Sequence, residues 1–124
     1  MRVSNVYRPM IFGCQADERL PGVARQMVER NIGALAVLEG ERITGVITER
    51  DLVMALAGSD DPATVSAGAC ASTELKTAGL EEDTREVARR MLDAGIRHMP
   101  VDEDGRMVGM VSMRDLLALE TWAA

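Results

Sequence analysis

Gly45-Val46-Ile47-Thr48-Glu49-Arg50-Asp51-Leu52 returns 64 residues later as Gly109-Met110-Val111-Ser112-Met113-Arg114-Asp115-Leu116. In each copy an apolar run closes on a hydroxyl residue, and an aspartate follows three positions on. Such a run suits a buried strand. Thr48 and Ser112 then suit a helix N-cap, with the acidic residue in the first turn. A helix start offers free backbone N–H groups and a partial positive charge. Arg50 and Arg114 stand beside it, which makes the place attractive to an anion such as phosphate. The same residues also have a plainer reading. Thr48 with Asp51, and Ser112 with Asp115, make capping boxes that need no ligand, and the two arginines are then solvated charges.

The repeat extends well beyond these eight residues. A shift of 64 aligns residues 23–52 with 87–116 without a gap, and 12 of the 30 positions are identical. Val23/Val87, Met27/Met91, Ile32/Ile96, Val37/Val101, Gly45/Gly109 and Asp51/Asp115 are among them. The chain is therefore two copies of one unit.

Each unit reads as β-α-β-β-α. A lead-in, Val3 to Met10 or Val65 to Ser72, precedes a short strand, expected at Met10-Ile11-Phe12 and Leu75-Lys76-Thr77. A helix follows. Pro21 fits its first turn in copy one, and Thr84 is the expected cap in copy two. Val23, Ala24, Met27, Val28 and Val87, Ala88, Met91, Leu92 form matching apolar stripes. Asn31 and Gly95 suit a left-handed C-terminus. Two hairpins come next, Ala34–Leu38 with Ile43–Thr48, and His98–Asp102 with Met107–Ser112, each turning on four polar residues that include glycine. The last helix of each copy, from Thr48 to about Ala57 and from Ser112 to about Thr121, carries Leu52, Val53, Leu56 or Leu116, Leu117, Leu119. Neither half covers both faces of its sheet, so the halves are expected to pack sheet to sheet about a pseudo-twofold axis. The expected organisation is one α/β module over 1–124, with repeat one at 3–57, a linker at 58–63 and repeat two at 65–121.

Composition narrows the function. The chain has 124 residues, 47 % hydrophobic and 27 % charged, with a net charge of −6. This acidity argues against general nucleic-acid binding and against docking on an anionic membrane. No apolar run approaches a membrane span and no signal-peptide core opens the chain, so a cytoplasmic protein is expected. Cys14 and Cys70 are too few for a disulfide scaffold and, with His98, lack metal-ligand spacing, so no metal site is expected. Nine methionines do part of the filling that three aromatics, Tyr7, Phe12 and Trp122, do not. No nucleophile elbow, P-loop or dinucleotide fingerprint occurs, so an enzyme is not expected.

The twin Gly-apolar-apolar-Thr/Ser-x-x-Asp motifs resemble those of the CBS-domain pair, the Bateman module. Gly95-Ile96-Arg97-His98-Met99-Pro100-Val101, with Asn31-Ile32-Gly33-Ala34-Leu35-Ala36-Val37 as its first-copy counterpart, strengthens the resemblance, which covers residues 3–120. It implies two clefts between the repeats, binding adenosine-containing molecules: AMP, ADP, ATP, or S-adenosylmethionine or NAD-type ligands. It implies that Asp51 and Asp115 accept the ribose hydroxyls, with Thr48 and Ser112 beside them. It places Gly33, Ala34, Leu35 and His98, Met99, Pro100 at adenine pockets, and Arg50, Arg114, Arg97 and His98 near phosphates. Copy one departs from the pattern, with Ala36 for proline and Gly33-Ala34 for Arg97-His98, so unequal clefts are expected. No cofactor is required; an adenine nucleotide is the expected ligand. The expected function is a regulatory sensor that acts on a homodimer mate or an unidentified protein partner. The alternative is a structural or interaction module with empty clefts.

Overall fold

A computed structural model of the chain describes residues 1–9, 12–74 and 77–123, the last four of these by backbone alone. Met10, Ile11, Leu75, Lys76 and the side chain of Trp122 lie outside the described residues.

Each half is built as β-α-β-β-α. Copy one contains β1 (Gly13–Gln15), α1 (Leu20–Arg30), β2 (Ala34–Glu39), β3 (Arg42–Thr48) and α2 (Glu49–Gly58). A short helix, α3 (Ala67–Cys70), leads into copy two: β4 (Ala78–Gly79), α4 (Thr84–Ala94), β5 (His98–Glu103), β6 (Arg106–Ser112) and α5 (Met113–Ala123). Strand order is β1-β2-β3-β6-β5-β4. β1 and β4 run parallel to their neighbours β2 and β5, and the hairpins are antiparallel. Both hairpins carry a register shift at the same place in the repeat, after Val37 and after Val101.

The first strand of each copy lies further along than the apolar pattern suggests. Among the described residues it is Gly13–Gln15 and Ala78–Gly79, not Phe12 or Thr77. Pairing with β2 sets this: Cys14 faces Val37 across the ladder. The cap of α4 also differs from expectation. Asp83 caps it, accepting the Arg85 N–H at 2.8 Å, and Thr84 is the first helical residue. The Thr84 N–H is already taken by the Met1 carbonyl at 2.9 Å. The C-termini follow the sequence: Asn31 (φ 52°) and Gly95 (φ 69°) are both left-handed.

Three apolar clusters explain the layering. One unites Leu20, Val23 and Met27 of α1 with Leu35, Val37 and Ile47. The second unites Val87 and Met91 of α4 with Met99, Val101, Val111 and Leu116. The third, Ala36, Leu38, Ile43, Met107 and Met110, lies between the halves. Strand β2 thus sends Leu35 and Val37 to one side and Ala36 and Leu38 to the other, buried on both faces, which is why it reads as a continuous apolar run. The halves meet through this third cluster and join edge to edge at a single antiparallel pair, Arg42 with Arg106.

The lead-ins do not stay with their own repeats. Arg8 pairs with Met110 of copy two, and Ser72 with Val46 of copy one; Arg2 pairs with Asp83, and Ser66 with Arg19. Each contact maps onto its twin by the 64-residue shift. Val3 is buried in the copy-two cluster and Ala67 in the copy-one cluster. Among the described residues, no helix is long and apolar enough to cross a membrane.

Candidate functional site: two clefts at the twin helix starts

Two clefts open where the lead-ins cross. The larger, about 780 Å³, lies at the start of α5 and is lined by Arg8, Phe12, Arg30, Asn31, Ile32, Arg97, His98, Met110, Ser112, Met113, Arg114, Asp115 and Leu117. The smaller, about 440 Å³, lies at the start of α2 and is lined by Gly33, Val46, Thr48, Glu49, Arg50, Asp51, Met54, Ser72, Ala94, Gly95, Ile96 and Arg97. The linings correspond under the 64-residue shift: Arg8 with Ser72, Met110 with Val46, Arg30-Asn31-Ile32 with Ala94-Gly95-Ile96. Each cleft is roofed by the end of the other repeat's first helix, so neither repeat forms one alone.

Nine of the residues singled out in the sequence line these clefts: Thr48, Arg50, Asp51 and Gly33 in one, Ser112, Arg114, Asp115 and His98 in the other, and Arg97 in both. Ala34, Leu35, Met99 and Pro100 line neither. All four are buried inside the sheet, where helices cover one face and the inter-repeat cluster the other. The residues missed by the motif reading are those brought from elsewhere in the chain, notably Arg8, Phe12, Arg30 and Ser72.

The twin aspartates sit in different surroundings. Asp51 closes a full capping box: its carboxylate accepts the Thr48 N–H at 2.8 Å and the Thr48 hydroxyl at 3.0 Å, while its own N–H donates to Thr48 Oγ1 at 3.3 Å. Asp115 keeps half of that arrangement, its N–H donating to Ser112 Oγ at 3.1 Å. Its carboxylate instead accepts Arg8 Nε at 2.9 Å and Arg8 Nη2 at 3.0 Å, a two-point pair. The hydrogen bonds from Arg8, with help from Ser112 and Arg114, hold the Asp115 carboxyl below its usual range despite some burial.

Arg97 reaches between the clefts, its Nη2 3.6 Å from Glu49 Oε1. Arg30 stands over the Phe12 ring, 4.4 Å from its centroid. His98 is half-buried, and its Nδ1 is buried without a hydrogen-bond partner among the described residues. Burial, then the charge of Arg97, lowers its pKa below 6.5, against weaker opposing pulls from Asp115 and Glu49.

This fixes the sign of a pH effect. A base whose folded pKa is depressed contributes stability that is present above its unfolded value, near 6.5, and lost as pH falls through the folded value. Asp115, also depressed, contributes above the ordinary carboxylate range and loses its contribution lower still. The parent is therefore expected to lose more melting temperature between pH 7.5 and 5 than His98→Gln. Equal losses would show that His98 is not the group that titrates.

Neither thiol sits where its pKa is lowered toward a thiolate. Burial pushes Cys14 up to about 12 and raises Cys70 as well. Among the described residues, no three His, Cys, Asp or Glu side chains are grouped to hold a metal ion.

A CBS-domain family model matches residues 3–58 and again 67–120. This chain belongs to the CBS-domain family. It is 33 % identical over 101 residues to Hypoxic response protein 1 of Mycobacterium tuberculosis, covering 80 % of this chain and 71 % of that protein. The crystal structure of Hypoxic Response Protein I with two coordinated zinc ions superposes with a TM-score of 0.82 at 28 % identity, covering 95 % of this chain and 98 % of that one. The CBS domain pair of protein MJ0100, in complex with 5′-methylthioadenosine and S-adenosyl-L-methionine, superposes with a TM-score of 0.84 at 22 % identity. It covers 100 % of this chain and 98 % of that one, a likeness of fold. With CBS motifs at both ends and a cleft at each junction, this chain is a CBS-domain pair.

Proposed function

We propose that this CBS pair is a regulatory module that binds an adenosine-containing ligand between its two motifs. The observation that carries this is the composition of the α5 cleft. A carboxylate, Asp115, suits the vicinal hydroxyls of a ribose, arginines beside a helix start suit phosphate, and Phe12, Ile32, Met110 and Met113 supply apolar wall for a base. The adenosine ligands of the MJ0100 pair, a protein of the same fold, support the ligand class. Occupancy would shift the balance between states of the module, and a dimer mate or protein partner would read the shift.

The test is a melting-temperature screen with AMP, ADP, ATP, NAD and S-adenosylmethionine. A ligand held well above its dissociation constant is expected to raise the melting temperature by several degrees. No shift with any of the five at millimolar concentration would overturn the reading.

A second reading rests on a specific observation: both aspartate carboxylates already have partners, Asp51 in Thr48 and Asp115 in Arg8. On that reading the clefts stay empty and the module serves interaction alone. Indifference to every nucleotide, with a partner still bound, would favour it.

The module is also proposed to be a homodimer. Val53, Met54 and Leu56 of α2 and Leu117 of α5 are 58–65 % exposed, and the twins Val28 and Leu92 are 80 % and 70 % exposed. Apolar side chains in such numbers on the helical faces fit a self-complementary twofold contact. Light scattering at micromolar concentration is expected to give twice the chain mass of 13.4 kDa, and Leu56→Glu to lower it. A parent that runs as a 13.4 kDa species would refute the dimer.

A further inference from the structure

The two clefts share a plan but not a charge. Among the described residues, the α5 cleft is lined by four arginines (8, 30, 97 and 114) against one aspartate, a formal +3 with His98 neutral. The α2 cleft has Arg50 and Arg97 against Glu49 and Asp51, a formal zero. The difference arises position by position under the 64-residue shift: Arg8 against Ser72, Arg30 against Ala94, Met113 against Glu49. In a chain of net charge −6, a concave site of +3 is a local reversal of sign, and a low-dielectric concavity focuses such a field.

We propose that the clefts sort ligands by charge: the α5 cleft takes a nucleoside polyphosphate, and the α2 cleft takes an adenosine ligand without net negative charge. The assignment rests on the adenosine reading above. It adds two specificity-determining residues, Arg8 and Arg30, that no repeat motif contains.

Arg8 is held in reserve. Its guanidinium now occupies both oxygens of Asp115. A ribose that donates its hydroxyls to Asp115 displaces that guanidinium and leaves it beside the phosphates, so one exchange serves both ends of the ligand. Arg30 keeps its charge over the Phe12 ring, and both line the same cleft. In the α2 cleft the counterparts are a serine and an alanine, and the Glu49 carboxylate repels a polyphosphate while engaging Arg97.

The test is calorimetric titration of the whole chain with adenosine, AMP, ADP, ATP, S-adenosylmethionine and inorganic tripolyphosphate, in magnesium-free buffer at two salt concentrations. Affinity is expected to rise about tenfold from AMP to ADP and again to ATP, as each added phosphate meets a further arginine. The ATP constant is expected to weaken with salt and the adenosine constant to hold. In the Arg8→Gln/Arg30→Gln double variant, checked for an unchanged melting curve, the ratio of ATP to adenosine affinity is expected to fall at least tenfold. Asp51→Ala is expected to weaken S-adenosylmethionine more than ATP. Adenosine, AMP and ATP binding with equal affinity would keep the adenosine reading and overturn the sorting. Tripolyphosphate binding as tightly as ATP, with adenosine not binding, would keep the cationic cleft and overturn the adenosine reading. No binding by any of the six would overturn both.

Discussion

Gly109→Ala is expected to cost about 3 kcal/mol or more of stability, the upper end of what overpacking a tight site brings. A Cβ at Gly109 would run into the Arg8 carbonyl oxygen and stand 2.6 Å from Tyr7 Cδ2. Neither neighbour can retreat cheaply. The Arg8 backbone is hydrogen-bonded in both directions to Met110, at 2.8 and 2.9 Å, and Tyr7 packs on the copy-two cluster. For a chain of this size the loss corresponds to roughly 10 °C in melting temperature. Gly45→Ala meets the twin contact less severely, with its Cβ 2.9 Å from the Ser72 carbonyl oxygen, so about 1 kcal/mol is expected there. The failure should be local before it is global. In Gly109→Ala the amides of Val3, Ser4 and Arg8, bonded to Glu82, Leu80 and Met110, are expected to exchange faster than in the parent while α1 amides do not. A melting temperature within 2 °C of the parent would show that the crossing lead-in yields freely, and the account of why both motifs begin with glycine would fall.

Distance along the chain decides which of these features are legible in the sequence. The hairpins, the left-handed residues Asn31 and Gly95, and the caps at Thr48 and Ser112 are local events, each governed by residues within four positions, so periodicity and turn chemistry reveal them. The twin glycines were visible as identities, but their cause was not. It lies in residues 7, 8 and 72, which approach from the other end of the chain and leave no periodic trace. The same exchange hid half of each cleft. Arg8 and Ser72 belong to lead-ins outside the aligned block, and Arg30 and Ala94 look like ordinary helix ends until the helices are seen to roof the opposite repeat's cleft. Of the strand ends the resemblance names, Gly33, Arg97 and His98 line the clefts. Ala34, Leu35, Met99 and Pro100, one step further along, have their side chains buried in a sheet covered on both faces. The cap of α4 falls on Asp83 rather than Thr84 in a setting of the same kind: the Met1 carbonyl, distant in sequence, takes the Thr84 amide.

Asp115→Ala is expected to weaken AMP binding by ten- to a hundredfold, and Asp51→Ala to change it little. The reasoning starts from what each carboxylate does without ligand. Asp51 is occupied by its own helix, accepting the Thr48 N–H and hydroxyl, so its removal costs the capping box and the first-turn charge, roughly 0.5–2 kcal/mol of stability. Asp115 is occupied by Arg8; the arginine side chain is 64 % exposed and the aspartate 19 %, and so half-open a pair adds little beyond the first-turn charge. Its loss should therefore cost no more than that first-turn charge, roughly 0.3–1 kcal/mol, and the larger effect should appear in binding. Two ribose hydroxyls donating to a carboxylate are hydrogen bonds to a charged group, about 1.5–3 kcal/mol of affinity. Removing a negative charge beside the phosphates works the other way, so Asp115→Asn is the sharper variant. It keeps the size of the side chain and an acceptor oxygen but not the charge, and is expected to fall between the parent and alanine. Calorimetric titration with AMP, beside unliganded melting curves of all three variants, separates the cases. If Asp51→Ala loses stability and Asp115→Ala binds as the parent does, then both aspartates serve only the helices and Arg8 beside them, and the ribose assignment is wrong.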